Sequence, residues 1–256
     1  MKSNSEILFA GVIPARYASS RFPGKPLAMI GNKPMIQRVY EQASKSLKLV
    51  YVATDDERIY SAVFNFGGKA VMTSPNHQSG TDRCAEAALL IADETKRNID
   101  VVINIQGDEP FIHPQQIDLL KGCFISSKVK IATLIRKSDP EDLFNPAEAK
   151  VILNMDGDAL YFSRAAIPYV RGTDEGEWAR KHVYYTHVGM YAYRINTLKR
   201  LTSLACSSLE IAESLEQNRW LENGIKIRTA ITSLGSMCVD TPEDLEKAKM
   251  FLEKDI

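Results

Sequence analysis

The stretch ILFAGVIPARYASSRFPGK, residues 7–25, decides the fold and raises the question of function. Residues 7–13 are a short, continuous apolar run, which is typical of a strand covered on both faces of a parallel sheet. The residues that follow are more than a turn needs, because they include Arg16, Arg21 and Lys25 together with two serines and a Pro-Gly pair. The stretch therefore predicts a buried strand that ends in a long cationic loop.

Strand and helix patterns alternate through the first half of the chain. Further strands are predicted at residues 49–56, 69–74 and 100–106, and helices at 34–46, 57–68 and 81–97. Four strand–helix units in series predict an α/β fold with an open, mostly parallel sheet and helices on both faces.

The second half has a different pattern. Strands are predicted at 130–136, 150–154, 159–163, 187–194, 226–232 and 237–240, with a hairpin turn at Asp156-Gly157-Asp158. Residues 169–181 are predicted to form a mobile loop and residues 208–224 one strong helix, and a last helix is predicted to begin at Pro242 after an N-cap at Thr241. We expect one domain over residues 1–256, with an antiparallel excursion at about 145–199.

Composition excludes several classes of protein. Lys plus Arg equals Asp plus Glu at 32 each, so an overall bias toward nucleic acid or a membrane surface is absent. The four cysteines are scattered without zinc-site spacing, which favours buried free thiols in a reducing compartment. Neither a signal-peptide pattern nor a membrane-length apolar run is found, and we expect a cytoplasmic protein.

The cationic loop lacks the familiar phosphate-binding motifs. Gly24-Lys25 is followed by Pro26, so the Ser or Thr of a Walker A motif is missing, and GxGxxG is absent from the loop. Ligands bind at the carboxyl ends of strands in open α/β sheets, and Arg and Lys suit phosphate oxygens. A phosphate site and a solvated basic loop both remain open on this pattern.

Carboxylates follow two other predicted strands. Asp108 and Glu109 come directly after a buried strand, where Gly107 permits a sharp turn, and Asp240 precedes the last helix. Mg²⁺ takes one or two carboxylates together with substrate phosphates, although a simple turn and a helix-dipole contact explain these aspartates equally well. In the polar segment 72–83, Gln78 and Ser79 offer donors and acceptors for a base edge, while a helix cap at Thr81 is the alternative.

Taken together, these blocks resemble the CMP-Kdo synthetases, the 3-deoxy-manno-octulosonate (Kdo) cytidylyltransferases. The matching blocks are VIPARYASSRFPGKPL, VYVATDD, MTSPNHQSGTDR, VINIQGDEP, ALYFSRAAIP and VDTPEDL, in the family's order and over nearly the whole chain. The resemblance implies a glycosyltransferase-A-like nucleotidyltransferase fold in an enzyme that is usually a homodimer and that requires Mg²⁺. It also implies transfer of CMP from CTP to Kdo, with release of pyrophosphate, for lipopolysaccharide synthesis.

The resemblance also implies roles for individual residues. Arg16 and Lys25 match triphosphate-binding cations, and Asp108 and Asp240 match magnesium ligands. The other nucleotide-side positions are Pro14, Ala15, Ser19, Ser20, Gln78, Ser79, Gly80, Arg83 and Gln106. The Kdo-side positions are Arg164, as partner of the sugar carboxylate, with His187, Tyr191, Glu210 and Gln217.

Structural roles remain open for the Kdo-side residues. Arg164 also fits an ion-pair partner, His187 a structural histidine, and Glu210 and Gln217 one face of a helix two turns long. Two functional alternatives also remain: the same chemistry on 8-amino-Kdo or another 2-keto sugar acid, and a non-catalytic nucleotide-binding protein.

Overall fold

The computed structural model describes residues 6–18 and 21–254. They form two compact units. The first contains the described residues up to Asp118, Ala192–Thr202 and the described residues from Gly235 onward; the second contains Leu119–Tyr191 and Ser203–Leu234. The predicted excursion at 145–199 lies in the second unit except for residues 192–199, and the single-domain description stays a prediction.

A parallel sheet forms the centre of the first unit, with strand order β6-β1-β4-β5. Every residue of β4 is buried, as expected for an apolar strand covered on both faces. The strands of this unit are β1 (Phe9–Ala15), β2 (Met29–Ile30), β3 (Lys33–Pro34), β4 (Val50–Thr54), β5 (Ala70–Met72) and β6 (Val101–Asn104).

Helices follow the strands of the first unit in sequence. They are α1 (Met35–Ser44), α2 (Glu57–Asn65), α3 (Gly80–Thr95), α4 (Pro114–Cys123, which continues into the second unit), α6 (Ile195–Leu201) and α9 (Pro242–Lys254). Ala248 of α9 packs with Val239, Ile30 and Met35 in one buried cluster, so the last helix is anchored on the start of α1. None of the helices in the described ranges has the length and apolar character needed to cross a membrane.

The second unit combines parallel and antiparallel pairs. β11 runs parallel to β7, whereas β8 pairs antiparallel with both β9 and β10. The β8–β9 connection contains Gly157 at φ 78°, which confirms the predicted hairpin. The elements are β7 (Ile131–Lys137), β8 (Lys150–Leu153), β9 (Ala159–Ser163), α5 (Trp178–Lys181), β10 (Tyr185–Arg194, whose last three residues belong to the first unit), α7 (Ser208–Glu213), α8 (Glu216–Glu222) and β11 (Ile227–Ile231). The predicted α/β fold with a mostly parallel sheet is thus confirmed.

The single helix predicted at 208–224 is wrong. Ser214 adopts a left-handed conformation, φ 51°, and separates α7 from α8. Arg164 donates from Nε to the Glu213 carbonyl at 2.7 Å and from Nη2 to the Ser214 carbonyl at 3.4 Å, and so satisfies carbonyls at the helix end. Helical periodicity cannot reveal a break that depends on a side chain fifty residues away.

Two further predictions of local structure need correction. Residues 169–181 are not simply a loop, because Trp178 begins α5 and packs, almost fully buried, with Leu143 and Tyr184. Residues 237–240 form no strand; Val239 N–H instead donates to the Asp108 carbonyl at 2.9 Å, and the segment is irregular. Both errors arise from tertiary contacts that override a local pattern.

Candidate active site

An open cleft of about 270 Å³ lies in the first unit, at the carboxyl ends of β1 and β6. The structure brings most of the predicted nucleotide-side residues to this cleft. Its lining includes Pro14, Ala15, Arg16, Lys25, Gln78, Ser79, Gly80, Arg83, Gln106, Asp108 and Asp240. Of the predicted nucleotide-side positions, Ser19 and Ser20 lie outside the described residues.

Lys25 lies between the two predicted metal ligands. Its ammonium Nζ is 2.7 Å from Asp108 Oδ2 and 3.0 Å from Asp240 Oδ1, and the lysine side chain is only 14% exposed. Burial lowers the pKa of Lys25, but the Asp108 and Asp240 carboxylates outweigh it and raise that pKa overall. The Lys25 side chain therefore remains a cation. It lies beside two carboxylates in the lining of the cleft, where it can contact a negatively charged ligand.

The backbone holds this group in place through close contacts. The Asp108 carbonyl accepts the Val239 amide, which ties the segment after β6 to the segment before α9. A Cβ on Gly107 would lie 2.9 Å from the Pro14 carbonyl oxygen, closer than real Cβ atoms come. Glycine is required here for the approach of two backbones, not for a positive φ.

The donor set fits a hard divalent cation. Asp108, Cys238 and Asp240 each offer one ligand atom, and these atoms lie within 4.8 Å of one another. Two carboxylates suit Mg²⁺, which prefers oxygen, and they already hold the cationic Lys25 Nζ between them. Burial, with the nearby Asp108 and Asp240, raises the pKa of the Cys238 thiol, so a thiolate ligand is disfavoured.

The start of α3 forms another part of the cleft. Ser79 is its N-cap, and the Ser79 hydroxyl accepts the Asp82 amide at 3.1 Å. The cap considered at Thr81 is therefore wrong, since Thr81 lies in the first turn and is buried. Free amides at a helix N-terminus favour negative ligand groups, which gives Ser79 and Gly80 a suitable position beside a nucleotide.

Some residues of the cleft were not among the predicted site residues. Arg21, Pro26, His77 and Gly107 also line it, and Arg21 Nη1 is 3.3 Å from Asp240 Oδ2. The cluster of cations in the loop sequence was the signal that could have identified Arg21.

His77 is hydrogen-bonded to Glu86. Burial raises the pKa of Glu86, but the hydrogen bonds from His77 and from the Ser74 amide lower that pKa overall.

Arg83 has a structural role whatever it does for a ligand. It is 5% exposed, and it donates to Thr73 Oγ1 at 2.6 Å and to Asp55 Oδ2 at 2.9 Å. These contacts join the start of α3 to the ends of β4 and β5. Arg83 thus holds the start of α3 in place at the edge of the cleft.

In the second unit, Arg164 donates hydrogen bonds from its guanidinium to backbone carbonyls. Besides its bonds to Glu213 and Ser214, it donates from Nη1 to the Pro146 carbonyl at 2.9 Å. Its own amide donates to Glu213 Oε2 at 2.9 Å. The guanidinium is fixed in direction, and its remaining N–H groups are those that can meet a carboxylate.

His187 and Tyr191 lie in one aromatic cluster. Their ring centroids are 5.1 Å apart, and Trp220 of α8 contacts Tyr191 at 5.1 Å. Burial lowers the pKa of His187 to about 4, so its imidazole is neutral near pH 7. A neutral imidazole offers one donor and one acceptor but no counter-charge.

Glu210 and Gln217 lie on separate helices rather than on one helical face. Glu210 forms a capping box with Ser207 at the start of α7 and lies 3.4 Å from Arg219 Nε, so it has structural partners. Gln217 is 5% exposed, and its Nε2 has no hydrogen-bond partner within the described part of the chain. Gln217 is therefore the stronger of the two candidates for a ligand contact.

The sequence of this chain matches those of known cytidylyltransferases. The cytidylyltransferase family profile matches residues 10–227. The chain belongs to the cytidylyltransferase family. A 3-deoxy-manno-octulosonate cytidylyltransferase of Parabacteroides distasonis is 56% identical, over 95% of this chain and 98% of that one. The corresponding protein of Bacteroides thetaiotaomicron is 54% identical, over 96% and 98% of the two chains.

The fold of this cytidylyltransferase also matches a solved structure of similar sequence. It is a CMP:2-keto-3-deoxy-manno-octonic acid synthetase complexed with CTP, 44% identical, with a TM-score of 0.88 over 97% of this chain and 100% of that one. A putative glucose-1-phosphate thymidylyltransferase from Bacillus anthracis, 18% identical with a TM-score of 0.63, shares the fold alone. The predicted resemblance to the CMP-Kdo synthetases is confirmed.

Proposed function

We propose that this protein transfers CMP from CTP to the 2-hydroxyl of Kdo, releases pyrophosphate, and so activates Kdo for lipopolysaccharide synthesis. The observation that carries the proposal is the meeting of Lys25, Asp108 and Asp240 in the cleft of the first unit. It occurs in a chain that matches 3-deoxy-manno-octulosonate cytidylyltransferases over nearly its full length.

The residues of the cleft have separate tasks in this reaction. Arg16 and Lys25 neutralise the triphosphate, and their charge stabilises the negative charge that grows on the departing pyrophosphate. Asp108 and Asp240 would hold Mg²⁺. Bound there, the metal supplies Lewis-acid stabilisation of phosphate charge and favours ionisation of the attacking hydroxyl. Gln78, Ser79 and Gln106 offer polar groups to the nucleoside.

The sugar acid is assigned to residues of the second unit. The remaining Arg164 N–H groups suit its carboxylate, while His187, Tyr191 and Gln217 suit its hydroxyls. Homodimerisation, which the family resemblance implies, and cytoplasmic location, which the cysteine pattern and the predicted lack of a signal peptide favour, belong to the same proposal. Analytical ultracentrifugation of the purified protein tests the dimer.

Pyrophosphate release tests both the activity and the choice of acceptor. The assay combines each of the four nucleoside triphosphates, with Mg²⁺, with Kdo, 8-amino-Kdo, N-acetylneuraminate or no acceptor. Release with CTP and Kdo alone supports the proposal, and release with CTP and another acid replaces the acceptor. If folded protein binds CTP but releases nothing with any acid, the protein is a nucleotide-binding protein without turnover.

Asp108→Asn tests the metal assignment. We expect kcat to fall at least about 100-fold, because a carboxylate charge beside the phosphates is lost, while the melting temperature changes little. Asp93→Asn is the matched control, because Asp93 lies on the exposed side of α3 with its side chain 83% exposed. Turnover of Asp108→Asn within a few-fold of wild type would refute the assignment.

A further inference from the structure

The His187 imidazole is held on several sides. Phe162 meets it edge-on with ring centroids 5.2 Å apart, Tyr191 packs on it, and its backbone amide donates to the Ala149 carbonyl at 2.8 Å. One ring nitrogen, Nε2, lies 2.9 Å from Thr133 Oγ1. Among the described residues, no hydrogen bond is formed to the other ring nitrogen, Nδ1.

The Thr133 hydroxyl determines which nitrogen carries the proton. Thr133 is fully buried, and its Oγ1 is also 2.9 Å from the Met190 carbonyl and 3.4 Å from the Val188 carbonyl. The Tyr191 hydroxyl is a further hydrogen-bond partner of Thr133, and it can donate to Oγ1 without competing for the threonine proton. Both carbonyls can only accept, and a hydroxyl has a single proton to donate. If that proton were given to His187 Nε2, two oxygen acceptors would face each other at 2.9 Å in a buried site, which is unfavourable.

We propose that Thr133 is a positioning residue that donates to the Met190 carbonyl and accepts from His187 Nε2–H, so that Nδ1 is the acceptor presented to a hydroxyl of the sugar acid. The proposal rests on the proposed function for its ligand, but not for its tautomer. It gives β7 a part in substrate recognition through a residue that touches no substrate.

The arrangement has a chemical consequence for specificity. A neutral imidazole with Nδ1 unprotonated repels a carboxylate lone pair and accepts from an O–H group. His187 therefore selects a hydroxyl and leaves the carboxylate to a cation. An acceptor that lacks the matching hydroxyl loses this hydrogen bond, and the paired Thr133–His187 geometry cannot adapt by exchanging its proton.

The first measurement is the tautomer in the full-length protein. Long-range ¹H–¹⁵N NMR with ¹⁵N-labelled histidine distinguishes the four histidines, and His187→Gln assigns the signal of interest. We expect His187 to be neutral, with its proton on Nε2 and with Nδ1 unprotonated. A proton on Nδ1 in the wild-type protein overturns the proposal whatever the enzymatic assays give.

The second measurement separates positioning from general stability. Thr133→Val keeps the shape but removes the hydroxyl, and we expect a mixed tautomer and a KM for Kdo raised about 2- to 10-fold with an unchanged KM for CTP. Thr133→Ser restores the hydroxyl and is expected to restore both readouts. An unchanged tautomer and KM for Kdo in Thr133→Val refute the role of Thr133. Absence of turnover with Kdo in the wild type, with the Nε2–H tautomer present, refutes the proposed function instead.

Discussion

Replacing Gly107 with alanine tests the close approach that supports the cleft. The new Cβ would lie 2.9 Å from the Pro14 carbonyl oxygen, 3.5 Å from Ile13 Cγ2 and 3.8 Å from Ile36 Cδ1. Pro14 is paired with Ala53 in the sheet, so the carbonyl cannot give way without disturbing β1. The segment that carries Asp108 must therefore move by about half an ångström, or the steric overlap remains and destabilises the folded state.

The magnitude follows from that overlap. Overpacking of a rigid site costs about 1–3 kcal/mol, which corresponds to a melting temperature lower by about 5 °C in a chain of this size. A displacement of Asp108 by a few tenths of an ångström should reduce kcat by about 10-fold or more. Circular dichroism follows unfolding, and pyrophosphate release follows turnover.

Gly122→Ala is the matched control. A Cβ at Gly122 meets nothing within 4 Å, and the residue lies within α4. Alanine should therefore be neutral or stabilise the helix by about 0.5–1 kcal/mol, with turnover unchanged. If Gly107→Ala matched Gly122→Ala in both assays, the argument that backbone contact positions Asp108 would fail.

Two further predictions concern the second unit. Because the pKa of His187 is about 4 in the folded protein and about 6.5 in the unfolded chain, unfolding takes up a proton between these values, and the free energy of unfolding falls as pH decreases through this range by about 3 kcal/mol. In urea titrations from pH 7 to 4, His187→Gln should show a smaller decrease than wild type, and an equal decrease would contradict the shift. Ser214→Gly should raise the melting temperature, since it relieves a left-handed residue at φ 51°, whereas Ser208→Gly at the first position of α7 should not; equal effects would exclude this reason.

The central sheet could be predicted because its strands leave a local signal. Continuous apolar runs mark β1 and β4; β4 is buried throughout, and β1 is buried at five of its seven residues. The N-cap at Thr241 was equally readable, since Thr241 and Asp244 exchange hydrogen bonds at the start of α9. Such features depend on residues close together in the chain.

The errors share a dependence on distant residues. The break at Ser214 depends on Arg164, and the irregular path of 237–240 depends on the Asp108 carbonyl. In the cleft, the resemblance implied that Lys25 and the aspartates serve one nucleotide site, but the insertion of Nζ between Asp108 and Asp240 is visible only in three dimensions. The spacing of residues in the sequence likewise could not show that the Arg164 side chain donates hydrogen bonds to backbone carbonyls.

The joining of Asp108 to the segment before α9 also bears on how the protein is made. Asp240, Val239 and Ala248 are synthesised long after Lys25 and Asp108, yet they complete the same group and cover Ile30 and Met35. A nascent chain that has not yet released α9 from the ribosome exit tunnel has one carboxylate beside Lys25 and an uncovered apolar surface. The first unit, and with it the second carboxylate of the cleft, is therefore completed only after the whole second unit has been synthesised.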